Sequence, residues 1–341
     1  MAHEVETMAY AGKVPWHGLG RQVSKDMSPD EMLVAAQLDW TVSKRQAFTI
    51  DKPNCWNIID PTGEANFLRC DDHHYIVRDS DNTVLSHCKE SYVPFQNKEV
   101  MSFFKKFTEA GHMKMETAGS LKEGKEIWGL AKLTDTFKLP GDDQVEGYLL
   151  LNNSHSVGKA MTIMFTPIRV VCNNTLTMAL NNKGNSFRIP HLQMFDEEII
   201  QTAELALGIS NSHMKNFQEQ SEFLARKKAK VKDVDNFIAE LFQPSLLIQQ
   251  GKTGVIGSDN MKDQFNTTAE LVSDAIFTSP GANMSSAKGT WWGVLNGVTY
   301  VMDHQKRSTA KGNALHSAWF GSGANTKRKA LNKAIEYAKA A

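Results

Sequence analysis

Residues 113–133 read MKMETAGSLKEGKEIWGLAKL, two apolar-rich runs on either side of Lys122-Glu123-Gly124-Lys125. That tetrapeptide has the composition of a tight hairpin turn, with glycine free to take a positive φ. The reading predicts antiparallel strands over 113–121 and 126–133. Residues 148–152 (YLLLN) and 160–165 (AMTIMF) extend the same texture. Upstream, 41–50, 56–59, 66–69, 75–78 and 84–87 carry the β-branched and aromatic residues of further strands, with Asp81-Asn82 as a turn between the last two.

Helices interrupt this β region. Ser28-Pro29-Asp30-Glu31 is a capping box with proline at the first helical position, and Met32, Leu33 and Ala36 follow on one face. Residues 97–110 place Val100, Phe103, Phe104 and Phe107 on one stripe, with Asn97 as N-cap and Gly111 as the stop. After Pro167 and the run 168–172, Asn173-Asn174-Thr175 is expected to cap a short apolar helix through Leu180. From Phe195 the period turns helical: Phe195, Ile199, Ala203, Ala206, Ile209, Phe217 and Leu224 trace one stripe, ending at Arg226-Lys227-Lys228-Ala229-Lys230. Further helices are expected at 233–242, 267–277, 290–304, 313–320 and 326–340, with loops at 251–257 and 278–287. The fold class is α+β: a mainly antiparallel sheet region with a few helices over 1–192, then a helical region with a basic end over 193–341.

The chain has 341 residues, 38 basic and 38 acidic, for a net charge of zero. A general polycation is excluded, and 41% hydrophobic residues exclude disorder for most of the chain. The zero hides a split. Residues 305–341 hold eight basic residues and one acid, leaving 30 basic and 37 acidic in 1–304, so +7 faces −7. Such asymmetry fits an anionic partner at the basic end, or a solvated helix docked on an acidic body. The first ten residues, MAHEVETMAY, lack the apolar run of a secretory signal, and no stretch approaches the roughly 20 apolar residues of a membrane span. A cytoplasmic protein off the membrane is expected. Four scattered cysteines without CxxC spacing are expected to be thiols.

Familiar ligand motifs fail on inspection. Gly251-Lys252-Thr253 has Leu246 where a phosphate-binding loop needs glycine. The pairs Gly18/Gly20 and Gly321/Gly323 lack a dinucleotide fingerprint, and His73-His74 would point to opposite faces of a strand. No cofactor is expected. A metal held in space by His17, His155 and Cys172 stays open, as does a Cys172 nucleophile, though a buried thiol fits the Val170-Val171-Cys172 run better.

Three compact clusters stand out: Pro15-Trp16-His17-Gly18-Leu19-Gly20, Asn152-Asn153-Ser154-His155 with Lys159 beyond, and the run 168–176 (IRVVCNNTL). Arg169, between Ile168 and Val170, needs a partner if buried. That partner is either an internal carboxylate or a phosphate shared with a helix N-terminus at Asn173 and Asn174. Positions 291, 294, 295, 298, 301 and 302 form one helical stripe, which places Trp291 in the core. Trp292 lies off it, packing between regions or offering a ring to a base.

On these clusters (PWHGLG, NNSH and RVVCNNTL over 169–176), and on Ala318-Trp319-Phe320-Gly321, the sequence resembles the phage/plasmid-like proteins, also known as domain of unknown function 932. Ser156 and Val157 depart from that family's pattern, which usually has an acidic residue and glycine there. The resemblance implies a mobile-element setting without an established activity. Residues 32–50, with Asp39-Trp40 at the step from helix to strand, are also similar in outline to phage single-strand annealing recombination mediators. The expectation is a nucleic-acid-binding protein, single-stranded DNA favoured, acting as a homo-oligomer in annealing or DNA maintenance. Lys159, Arg169, Asn173 and Asn174 would hold phosphate from the β region. Lys306, Arg307, Lys311, Lys327, Arg328 and Lys329 would extend the surface, and Trp292 would stack a base. The rivals are a metal-dependent hydrolase or nuclease using His17 and His155, and a non-catalytic host-interaction protein.

Overall fold

The computed structural model describes residues 5–12, 19–50, 67–171, 174–175, 178–179, 187–192, 197–242, 259–306 and 314–341. The expected strand at 56–59 and the loop at 251–257 lie outside them. The hairpin turn forms as read: Lys122, Glu123 and Gly124 take φ of 55°, 59° and 83° and join β6 (Met113–Leu121) to β7 (Glu126–Leu139). A second turn, at Gly141 and Asp142 with φ of 83° and 63°, leads into β8 (Asp143–Ser154), which pairs in turn with β9 (Met161–Arg169). On the far side of β6 lie β1 (Val5–Tyr10) and the short β2 (Arg21–Gln22). A separate antiparallel sheet, β3 (Val42–Ile50), β4 (Phe67–Arg78) and β5 (Thr83–Lys89), has the Asp81-Asn82 turn where expected. The α+β class stands, with the helical region C-terminal to the sheets.

Two local expectations fail. Asn174, Thr175, Met178 and Ala179, expected in a short helix, are strand residues. Strands β10 (Asn174–Thr175), β11 (Met178–Ala179) and β12 (Phe187–Ile189) pair in succession with the outer edge of β9. That edge would otherwise leave a row of backbone donors and acceptors unpaired. Pro167, which has no N–H to give, falls between the rungs made by β10 and β11. The single helix expected over 97–110 is two, α2 (Asn97–Ser102) and α3 (Lys105–Glu109). Tight bonds from Phe103 N to Val100 O and from Phe104 N to Met101 O mark the break. Phe103, Phe104 and Phe107 are all buried, and one continuous helix would turn two adjacent rings about 100° apart. Asn97 is not the N-cap. Gln96 is, and Asn97 is released to bridge other elements.

β8 is buried without a break from Gly147 to Ser154, as befits a strand covered on both faces. Leu149 and Leu151 enter the larger apolar cluster; Tyr148 and Leu150 enter the smaller. Each such leucine is worth roughly 1.5–3 kcal/mol on burial. The larger cluster takes Met32 and Leu33 of α1 (Pro29–Ala35), Phe104, Phe217 of α4 (Glu197–Arg226), Phe237 of α5 (Val231–Phe242) and Trp291. It also takes Val272 of α6 (Asp259–Thr278), Val298 of α7 (Trp291–Tyr300) and Leu331 of α9 (Ser322–Ala340). One core therefore crosses residue 192. The smaller cluster is roofed by Leu315 of α8 (Ala314–Trp319), with Trp319 and Phe320 against it.

Candidate functional site

Two of the cations selected from the sequence, Arg169 and Lys327, are buried in ion pairs. Asp143, at the start of β8, is fully buried and accepts from Arg169 Nε at 2.8 Å and from Arg169 Nη2 at 2.8 Å. It also accepts from Ser286 Oγ at 2.6 Å and from the Trp292 indole N–H at 3.0 Å. Arg169 is 2% exposed and gives Nη2 to the Gly281 carbonyl as well. The arginine that strand spacing made conspicuous thus joins the sheet to the helical region. Trp292 is 2% exposed, with its edge on Asp143 and the Arg169 guanidinium over its ring at 5.9 Å, so neither face is open to a base in this structure.

A second buried pair lies at the end of α7. Over Val301–Gln305 the helix widens into π-type turns, closed by Lys306 N to Val301 O at 2.7 Å. Asp303 meets Lys327 of α9 at 2.5 Å, and Lys327 is fully buried. Burial lowers the Lys327 pKa while Asp303 works to raise it. Lys306 is exposed at the end of the π segment, and Arg328 and Lys329 are exposed on α9. Arg307, Lys311 and Asn173 lie outside the described residues, as do His17 and Cys172. Asn174 is a backbone partner of Arg169 in the β9–β10 ladder.

Lys159 sits on the turn after β8 and gives its ammonium to Glu126. Glu126 is 1% exposed and also receives Lys122 Nζ at 3.0 Å and faces His316 Nε2 at 3.1 Å. Burial pushes the Glu126 pKa up, but the bonds from His316 and Lys159 outweigh it and hold the carboxyl well below its usual range.

His155 is fully buried and bonds through Nε2 to Asn97 Oδ1 at 3.0 Å. Asn97 gives its amide N–H to the Leu38 carbonyl at 3.0 Å, so its oxygen is the acceptor and His155 carries its proton on Nε2. Burial drops the His155 pKa to about 3. Among the described residues no group of three His, Cys, Asp or Glu side chains is placed to hold a metal ion.

A denser exposed basic cluster lies elsewhere. At the elbow between α4 and α5, RKKAKVK over 226–232 holds five basic residues and no acid. Arg226, Lys228, Lys230 and Lys232 are exposed. Lys228 bridges Thr290, and Ala229 N bonds Gly289 O at 3.0 Å, which sets exposed Lys288 alongside. The sequence signal was the density of cations at a helix end. A family model described as Domain of unknown function (DUF932) matches residues 84–334. The chain belongs to the DUF932 family. No curated protein matches this DUF932 chain, and no solved structure does. The matched span takes in Asp143, Arg169, Asp303, Lys327 and the elbow, and excludes the segment 15–20.

Proposed function

We propose that this DUF932 protein binds nucleic acid, with single-stranded DNA favoured, and works as a homo-oligomer in annealing or DNA maintenance for a phage or plasmid in the host cytoplasm. The observation that carries the reading is the elbow at 226–232 with Lys288 beside it, an exposed cluster of cations without a carboxylate in its own sequence. Among the described residues no helix is long and apolar enough to cross a membrane.

Titration of a labelled single-stranded oligonucleotide at two salt concentrations, with light scattering alongside, tests the reading. Six engaged cations give a log–log salt slope of roughly −4, a loss of about 10²–10³ in affinity between about 50 and 200 mM salt. Lys228→Glu/Lys230→Glu/Lys232→Glu abolishes binding without unfolding the chain. Absence of binding at low salt, or unchanged binding by the triple variant, overturns the proposal.

A further inference from the structure

A cleft of about 500 Å³ opens where the turn after β8 and residues 190–192 approach β5, the outer strand of the small sheet. Its size is that of a small-molecule site. Two lysines, Lys89 and Lys159, line it, and no Asp or Glu does among the described residues. Lys159 keeps 45% of its side chain exposed alongside its contact with Glu126.

The wall also holds a buried acceptor without a partner. His191 is 4% exposed and stacks on Tyr92 with ring centroids 4.9 Å apart at 18°. Its Nδ1 lies 3.2 Å from the Val93 carbonyl, which only accepts, so the proton is on Nδ1 and Nε2 carries a lone pair. Nε2 is buried with no hydrogen-bond partner among the described residues. Leaving such an atom unpaired is costly, and a donor on a ligand would satisfy it. Val157 and Leu192, which also line the cleft, are 47% and 67% exposed among the described residues.

We infer that this cleft binds a nucleoside 5′-monophosphate, either free or as the 5′ end of a strand. Two lysines in one cleft, with no carboxylate among its described lining residues, favour a phosphate. The lone acceptor takes a sugar hydroxyl or a base amine, and Val157 and Leu192 cover a flat body. Inorganic phosphate meets the first requirement alone. The inference rests on Lys89, Lys159 and His191 and is independent of the elbow.

Calorimetric titration with adenosine 5′-monophosphate, adenosine and inorganic phosphate tests it. Adenosine 5′-monophosphate binds, and adenosine and inorganic phosphate each bind at least about tenfold more weakly, the worth of one charge-assisted bond or more. Lys89→Gln/Lys159→Gln weakens the nucleotide by roughly 10²-fold, while Lys228→Glu/Lys230→Glu/Lys232→Glu leaves it unchanged. Competition by a 5′-phosphorylated oligonucleotide, but not its 5′-hydroxyl form, identifies a strand end as the occupant; failure to compete identifies the free nucleotide. The inference is overturned by absence of nucleotide binding at millimolar concentration, or by unaltered affinity in the double lysine variant.

Discussion

Asp143→Asn isolates the junction between sheet and helices. The carboxylate is fully buried, and its Oδ2 alone receives Arg169 Nη2 at 2.8 Å, Ser286 Oγ at 2.6 Å and Trp292 Nε1 at 3.0 Å. Oδ1 receives Arg169 Nε at 2.8 Å. An asparagine fits the space, but either orientation of its amide sets an NH2 group against a donor. It also leaves the Arg169 charge, 2% exposed, without its counter-charge. Breaking a buried pair in this way costs about 3–5 kcal/mol, against a total stability of about 5–15 kcal/mol. Urea unfolding followed by tryptophan fluorescence reads the loss. Arg169→Met alone strands the opposite charge and costs a similar amount, whereas Asp143→Asn/Arg169→Met removes both charges. The double variant is therefore more stable than the two single losses added together, by about 2 kcal/mol or more. A cost below about 1 kcal/mol for Asp143→Asn, or additive single costs, would refute the role given to this pair.

Lys327→Met strands Asp303 in the core and lowers the unfolding free energy by about 3–5 kcal/mol, read as a shift in the urea midpoint. His155 and His191, with pKa values lowered by burial to about 3 and about 4, are neutral in the fold but take up protons once unfolded, below about pH 6.5. Stability is therefore full above that pH and falls as pH drops toward 4, by up to about 1.4 kcal/mol per pH unit for each histidine; a flat profile between pH 6.5 and 4.5 contradicts it. Glu126 has a folded pKa below its unfolded one, so its contribution is present above about pH 4.3 and lost with further acid. Glu126→Gln flattens that lowest limb of the stability profile and leaves the limb due to the histidines in place.

Local chemistry made much of the fold legible. The turn at 122–125, the capping box at Ser28, the stop at Gly111 and the stripe ending at Met302 each depend on residues close in sequence, and each forms. Failures came where distant partners decide. Asn97 has the chemistry of an N-cap, but its amide is claimed by Leu38 and His155, 59 and 58 residues away. The run after Arg169 has a helix start in its composition, yet an unpaired strand edge took it as β10 and β11. Arg169 was rightly marked as needing a partner; nothing local indicated that Asp143, 26 residues earlier, supplies it. His191 carried no signal at all, since its single free lone pair depends on Val93 standing opposite its other nitrogen.

The charge split takes on a different meaning once partners are known. The C-terminal surplus of seven suggested a surface waiting for an anion, but Lys327 is closed on Asp303 and Lys333 on Glu240, both acids of the negative body. Part of the asymmetry is thus two sides of internal ion pairs, separated in sequence and joined in space. A buried lysine contributes nothing to steering a polyanion, because its field is cancelled by the carboxylate beside it. The cations at the elbow are different in kind: five in seven residues, four of them exposed, with Glu222 as the one acid paired to the group, through Arg226, among the ion pairs of the described residues. Charge for a partner is better sought where exposed density is uncompensated than where the sequence sum is largest, and in this chain the two places differ.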